Sequence, residues 1–198
     1  MSINKCKIGG IVAEVPKRMN SLFYGDVLEI RLDINRKDID KIEHVTCLIV
    51  DKELIERAMN TIGVGDYLFC FGHSVSLEYK RKQLVKCPHC GKEGYRMRKA
   101  QHTDIILRDF EVTKGIDLSD SDGVNRVVLT GVVKNPIQQR EGHNRFQIVN
   151  NRPIQAQQHL MEIVTEDLLA GSERFNLVNV NTFNGLATHV SKTVKQSN

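Results

Sequence analysis

A single amphipathic stretch interrupts a series of short alternating segments, and its position constrains the fold more than any other feature. Residues 4–15 read as a strand that Pro16 ends, since proline cannot donate to a ladder. Asp26 to Asn35 alternates well, with Leu28, Ile30, Leu32 and Ile34 on one parity and Val27, Glu29, Arg31 and Asp33 on the other. His44 to Val50 reads as a third strand. Asp51 then stands as a helix cap, and Leu54, Ile55, Ala58, Met59 and Ile62 recur at helical spacing up to Gly63. Gly65-Asp66 turns the chain into Tyr67–Tyr79, and Thr103–Val112 returns antiparallel to it. Lys17–Gly25 reads as a loop and Arg36–Glu43 as a polar connection.

Three strands, a helix and two strands form the element order of a five-stranded oligonucleotide-binding (OB) barrel. Residues 1–116 are therefore expected to form a mainly β OB-fold domain, with a zinc-knuckle insertion at about 80–102 in the hairpin between its last two strands. Residues 117–123 read as an acidic, flexible linker. The pattern then restarts: Asn125-Arg126 and Gly131 overlie Asn4-Lys5 and Gly10, and Pro136 follows as Pro16 did. Residues 124–198 are expected to be a second, incomplete OB-like repeat lacking its last two strands. A helix is expected over 184–195, and inserted material over 155–169. Another chain would complete that sheet, the insert would cover its edge, or the chain would be a piece of a longer one.

Net charge is only +4 over 198 residues, so a nucleic-acid surface has to come from local clustering. No apolar run approaches the roughly 20 residues of a membrane span. The N-terminus has no apolar signal core, and a cytoplasmic location is expected. Of five cysteines only Cys87 and Cys90 have a recognisable spacing, which favours reduced thiols over a disulfide framework.

Cys87-Pro88-His89-Cys90-Gly91 is a zinc-knuckle signature: two thiolates two residues apart, with a glycine that lets the turn's amides face the sulfurs. No second cysteine pair follows. His102 is the expected third ligand, because the returning strand carries it back toward the knuckle; His89 points away. The ion would be structural, since no glutamate is placed as a general base near a histidine pair. No Ser/His/Asp arrangement, phosphate loop or paired-carboxylate motif stands out, and no enzymatic activity is expected.

Single strands bind by base stacking on aromatic rings, with lysine and arginine along the backbone. The candidate rings are Phe23, Tyr24, Phe69, Phe71, Tyr79 and Tyr95. The candidate cations are Lys17, Arg18, Arg31, Lys80, Arg81, Lys82, Arg96, Arg98 and Lys99. Phe69 and Phe71 share a parity opposite to the smaller Leu68 and Cys70, so the two rings are expected outside the barrel. Arg140, Arg145, Phe146, Arg152 and Phe175 are weaker candidates in the second half.

Asn4-Lys5 with Gly10, Asn125-Arg126 with Gly131, and Leu177-Val178-Asn179-Val180-Asn181-Thr182-Phe183-Asn184-Gly185-Leu186-Ala187 resemble the bacterial and phage single-stranded DNA-binding protein family. The resemblance touches both halves through short, mostly apolar motifs. It implies an OB barrel that coats single strands with little sequence preference, in replication, recombination or repair. The chain departs from that family in having no tryptophan, in ending Lys195-Gln196-Ser197-Asn198 rather than on an acidic, aromatic tip, and in carrying the knuckle. Expected partners are single-stranded DNA, replication or recombination proteins, and a second copy of the chain. The alternative is a replication scaffold, or an accessory subunit of a nucleic-acid enzyme, acting through protein contacts.

Overall fold

The computed structural model describes residues 3–21, 23–37, 40–121, 123–134, 138–140, 143–151 and 175–183. In its first half the strands are β1 (Asn4–Val12), β2 (Lys17–Ser21), β3 (Gly25–Arg36), β4 (Lys41–Ile49), β5 (Tyr67–Lys86) and β6 (Glu93–Thr113), with helix α1 (Lys52–Thr61) between β4 and β5. The order β3-β4-β6-β5-β1 closes on itself through a β1–β3 pairing, giving a closed five-stranded barrel. The β4–β6 contact is its parallel pair.

Alternation decides what lies inside. Ile8, Leu28, Ile30, Leu32, Ile34, Cys47, Ile49, Leu68 and Cys70 are fully buried in one cluster. Asp51 Oδ1 accepts from the Leu54 N–H at 2.9 Å, and α1 then turns Leu54, Ile55 and Ala58 into the same core. At the bulge between Phe71 and Gly72 a Cβ on Gly72 would sit against the Ile106 carbonyl, so glycine is required there.

Two segments differ from the sequence reading. Lys17–Ser21 is not a loop: it is β2, paired with Gly25–Glu29. Nor is the stretch after Lys114 a flexible linker. The Ser121 N–H donates to the Asp117 carbonyl at 2.9 Å, and Asn35 Nδ2 donates to the Leu118 carbonyl at 3.0 Å. Gly123 lies so close to the Asn35 carbonyl that a Cβ would not fit. The segment is held by its own turn and by the Asn35 side chain near the end of β3.

The second half contains β7 (Val124–Leu129), β8 (Val132–Val133), β9 (Gln138–Arg140), β10 (His143–Asn151) and β11 (Phe175–Phe183). Strands β8, β9 and β11 all pair with β10, as β1, β2 and β4 all pair with β3. β7 adds antiparallel to β1, with Asn4 opposite Leu129 and Ile8 opposite Asn125. Overlaid positions of the two halves thus exchange places about the Cys6–Val127 pair. The expected insert at 155–169 and helix at 184–195 lie outside the described residues.

Candidate nucleic-acid interface

Beyond the barrel, β5 and β6 continue as a projecting hairpin. Pairing runs without a break from Gly72 opposite Leu107 to Lys86 opposite Glu93. From Leu77–His102 to Lys86–Glu93 there are nine steps, about 30 Å at the rise of a strand. Between Tyr79 and Gln101 the sequence holds eight basic residues and one acidic residue, Glu93. Lys80 lies opposite Lys99, and Arg81 opposite Arg98. Like charges placed directly across a pair of strands destabilise it unless an anion comes between them.

The pleat sorts this charge into two faces. One carries positions 81, 83 and 85 with Arg98, Arg96 and Gly94. The other carries positions 80, 82, 84 and 86 with Lys99, Met97, Tyr95 and Glu93. Tyr95 is 75% exposed, and Leu84 and Met97 are each 53% exposed. Among the described residues, Lys82, Arg96, Arg98 and Lys99 are exposed and meet no carboxylate. Glu78, Tyr79, Lys80 and Arg81 belong to β5 by backbone, but their side chains lie outside the described residues.

Lys17, Arg18 and Arg31 are placed quite differently: each is already paired with carboxylates. The Arg18 guanidinium grips Asp26 through Nε and Nη2, the latter at 2.7 Å, and reaches Glu56 at 3.0 Å. These bonds push the Arg18 pKa further up and pull the Asp26 carboxyl below its usual range. Glu14 takes Lys17 at 2.7 Å and Arg31 at 2.9 Å, and Glu29 adds a second partner for Arg31. Lys17 and Arg31 accordingly hold Glu14 below the usual carboxylate range. A cation already paired with a carboxylate has to give up that partner to meet phosphate. Reading 17–25 as a loop concealed this, because the β2–β3 pairing is what sets Lys17 opposite Glu29 and Arg18 two residues from Asp26's partner.

Phe23 and Tyr24 are a correction. They are 8% and 2% exposed and pack with Val27, Leu48, Val75, Leu77 and Ile106 in a small cluster outside the barrel, under the root of the hairpin. The Tyr24 hydroxyl donates to Asp104 Oδ2 at 2.9 Å. These rings are struts for the hairpin rather than stacking platforms. Phe69 and Phe71 do face outward, half-buried and edge-on to each other at 5.0 Å, with Lys7 Nζ 5.8 Å from the Phe71 ring. They sit on the barrel wall opposite Glu111 and Asp109, away from the basic strip. In the second half Phe146 is buried and Arg145 exposed. Arg152 and the side chains of Arg140 and Phe175 lie outside the described residues.

His102 is a second correction. It pairs with Leu77 at the hairpin root, nine steps from the knuckle. Its Nε2 meets Asp104 Oδ1 at 2.8 Å and its ring stacks on Phe23 at 5.9 Å. Cys87 and Cys90 stand at the far tip. The Cys87 N–H donates to the Lys92 carbonyl and the Gly91 N–H to the Cys87 carbonyl, both at 2.9 Å, and Gly91 has φ +70°. The backbone N–H groups of Cys90 and His89 donate to the Cys87 sulfur and lower its pKa. The remaining thiols, Cys6, Cys47 and Cys70, are core residues, and burial raises their pKa values, Cys6 to about 11 and Cys47 to about 12. Among the described residues no three histidine, cysteine or acidic side chains gather to hold a metal, and no helix is long and apolar enough to cross a membrane.

The fold has counterparts among solved structures. The wild-type single-stranded DNA binding protein from Thermus aquaticus matches with a TM-score of 0.55 at 12% identity, over 98% of this chain and 81% of that one. A deletion mutant of the same protein gives 0.54 at 14% identity, over 98% and 82%. The chain shares its fold with these proteins. A Plasmodium falciparum single-stranded DNA-binding protein solved with its DNA reaches only 0.38 at 18% identity, over 57% of this chain and 94% of that one. No family model and no curated protein sequence matches the chain.

Proposed function

We propose that this protein binds single-stranded DNA without catalysing a reaction, and that the basic hairpin is its main contact. The observation that carries the reading is the row of like charges on β5 and β6 whose described members, Lys82, Arg96, Arg98 and Lys99, have no carboxylate partner. Such a strip is stable beside a polyanion, and its Tyr95 ring offers a base a surface to stack on. The shared OB fold supports the reading, since the matched Thermus aquaticus protein, in both its structures, carries single-stranded DNA binding in its name. A role in replication, recombination or repair follows as the setting in which naked single strands occur.

The second half enters this reading as a second, partial copy. Its support is the self-complementary β1–β7 register, together with the matching set of pairings around β3 and β10. Among the described residues its β7 widens the first sheet.

The test is a titration of fluorescent oligo-dT, a duplex of equal length and single-stranded RNA with the full chain. Binding of oligo-dT well above duplex is expected, because duplex bases offer no free faces for stacking. Equal affinity for duplex and single strands would reduce the hairpin to a general polyanion contact. No binding at low salt would favour the protein-scaffold reading.

A further inference from the structure

We propose that the hairpin tip is half of a zinc site, and that Cys87 and Cys90 of a second copy of this chain complete it as a four-thiolate centre. The turn is already shaped for the metal. Its two cross-turn hydrogen bonds, the left-handed Gly91 and the N–H groups of His89 and Cys90 aimed at the Cys87 sulfur are the features that hold two thiolates toward one ion. Cys90 is exposed and Cys87 partly so, while the other three cysteines are locked in the barrel core.

Structural zinc takes four ligands, and this tip supplies two. The hairpin's own returning strand does not supply more: His102 is about 30 Å back along it and engaged with Asp104. A tip at the end of a projecting hairpin can meet an identical tip without the barrels colliding. Charge favours that partner. Zinc with four thiolates carries a net charge of about −2, and Lys86 and Lys92 flank the knuckle in each copy. The Lys86 side chain lies over the turn, its Cε 3.8 Å from where a Gly91 Cβ would stand. Just below the tip, Leu84 and Met97 are exposed on one face and supply apolar surface for the two hairpins to pack. The metal then joins two molecules tip to tip and leaves the arginines of the other face turned toward solvent.

The test is cobalt titration of the reduced, metal-stripped full chain, with light-scattering mass before and after a chelator. The expected end-point is about one metal per two chains, with a tetrathiolate absorption spectrum. Chelation should halve the particle mass, and Cys90→Ser should abolish the spectrum and the mass change together. Circular dichroism on Cys90→Ser checks folding, which should be unaffected because the tip lies outside both apolar clusters. One metal per chain, a mass unmoved by chelation, or no metal bound at all would each overturn the proposal.

Discussion

Lys17, Arg18 and Arg31 on the barrel and Lys82, Arg96, Arg98 and Lys99 on the hairpin are the same residue types at similar density, yet they are in opposite electrostatic states. The barrel group shares Glu14, Asp26, Glu29 and Glu56. The hairpin group meets no described carboxylate and stands among its own kind. A basic cluster is thus a structural device or a binding surface according to what its strand partners carry, and strand pairing decides which.

The largest effect that separates the two regions concerns stability. His73 lies where the barrel wall becomes the hairpin, 4% exposed, with Arg108 Nε donating to its Nδ1 at 3.1 Å. Burial first, and then the Arg108 charge, lower its pKa to about 4. The unfolded chain therefore binds a proton that the folded chain refuses between about pH 6.5 and 4. Stability is fully present above pH 6.5 and is lost as pH falls, by roughly 1.4 kcal/mol per unit, or about 2 kcal/mol between pH 7 and 5. Urea unfolding at both pH values checks this, and His73→Leu should flatten the dependence. Oligo-dT affinity of the folded protein should not follow this titration above pH 6.5, because the hairpin strip contains no histidine between Tyr79 and Lys86 or between Glu93 and Gln101.

Next in size is the strut at the hairpin root. Tyr24→Phe leaves the half-buried Asp104 short of one hydrogen bond and should cost about 1–3 kcal/mol in urea unfolding. Burial already raises the Asp104 pKa, so the variant should raise it further. A Tyr24→Phe protein as stable as the parent would place the hairpin's support elsewhere.

Tyr95→Ala acts on binding instead. Loss of an exposed ring should weaken oligo-dT by about 1–3 kcal/mol and leave both the salt slope and the stability unchanged. Phe23→Ala should do the reverse, lowering stability with binding affected only through the hairpin's orientation. The smallest effect is expected of Glu14→Gln, which releases Lys17 and Arg31 from their shared carboxylate. If the barrel group stays out of DNA contact, affinity holds; a marked gain would mean that Glu14 alone keeps that surface from phosphate.

Much of the fold was legible because it rests on local patterns. Parity in Asp26–Asn35 specifies the strand β3, and the Asp51 cap with the helical spacing to Ile62 specifies α1. Parity also placed Leu68 and Cys70 inside and Phe69 and Phe71 outside, and the chain reversal placed the hairpin cations opposite one another. Several of the misreadings came from long-range partners. Nothing local says that Tyr24 reaches Asp104, eighty residues on, or that Arg18 meets Glu56. His102 looked near the knuckle in sequence because a hairpin folds back, but the register converts a separation of about a dozen residues into the full length of the hairpin. The one missed signal that was available lay in Lys17–Ser21, whose pairing with a charged strand would have exposed the neutralising carboxylates.

The central claim is that the hairpin cations, and not the barrel cations, meet phosphate. Salt dependence of oligo-dT binding tests it directly, because each phosphate contact contributes roughly −0.7 to the slope of log affinity against log salt for single strands. Two full-chain variants are compared with the parent: Arg96→Ala/Arg98→Ala/Lys99→Ala and Lys17→Ala/Arg18→Ala/Arg31→Ala. The account predicts that the hairpin variant loses about 2 units of slope along with affinity, and that the barrel variant keeps the parent slope. A parent-like slope in the hairpin variant, with the loss appearing in the barrel variant, would contradict it.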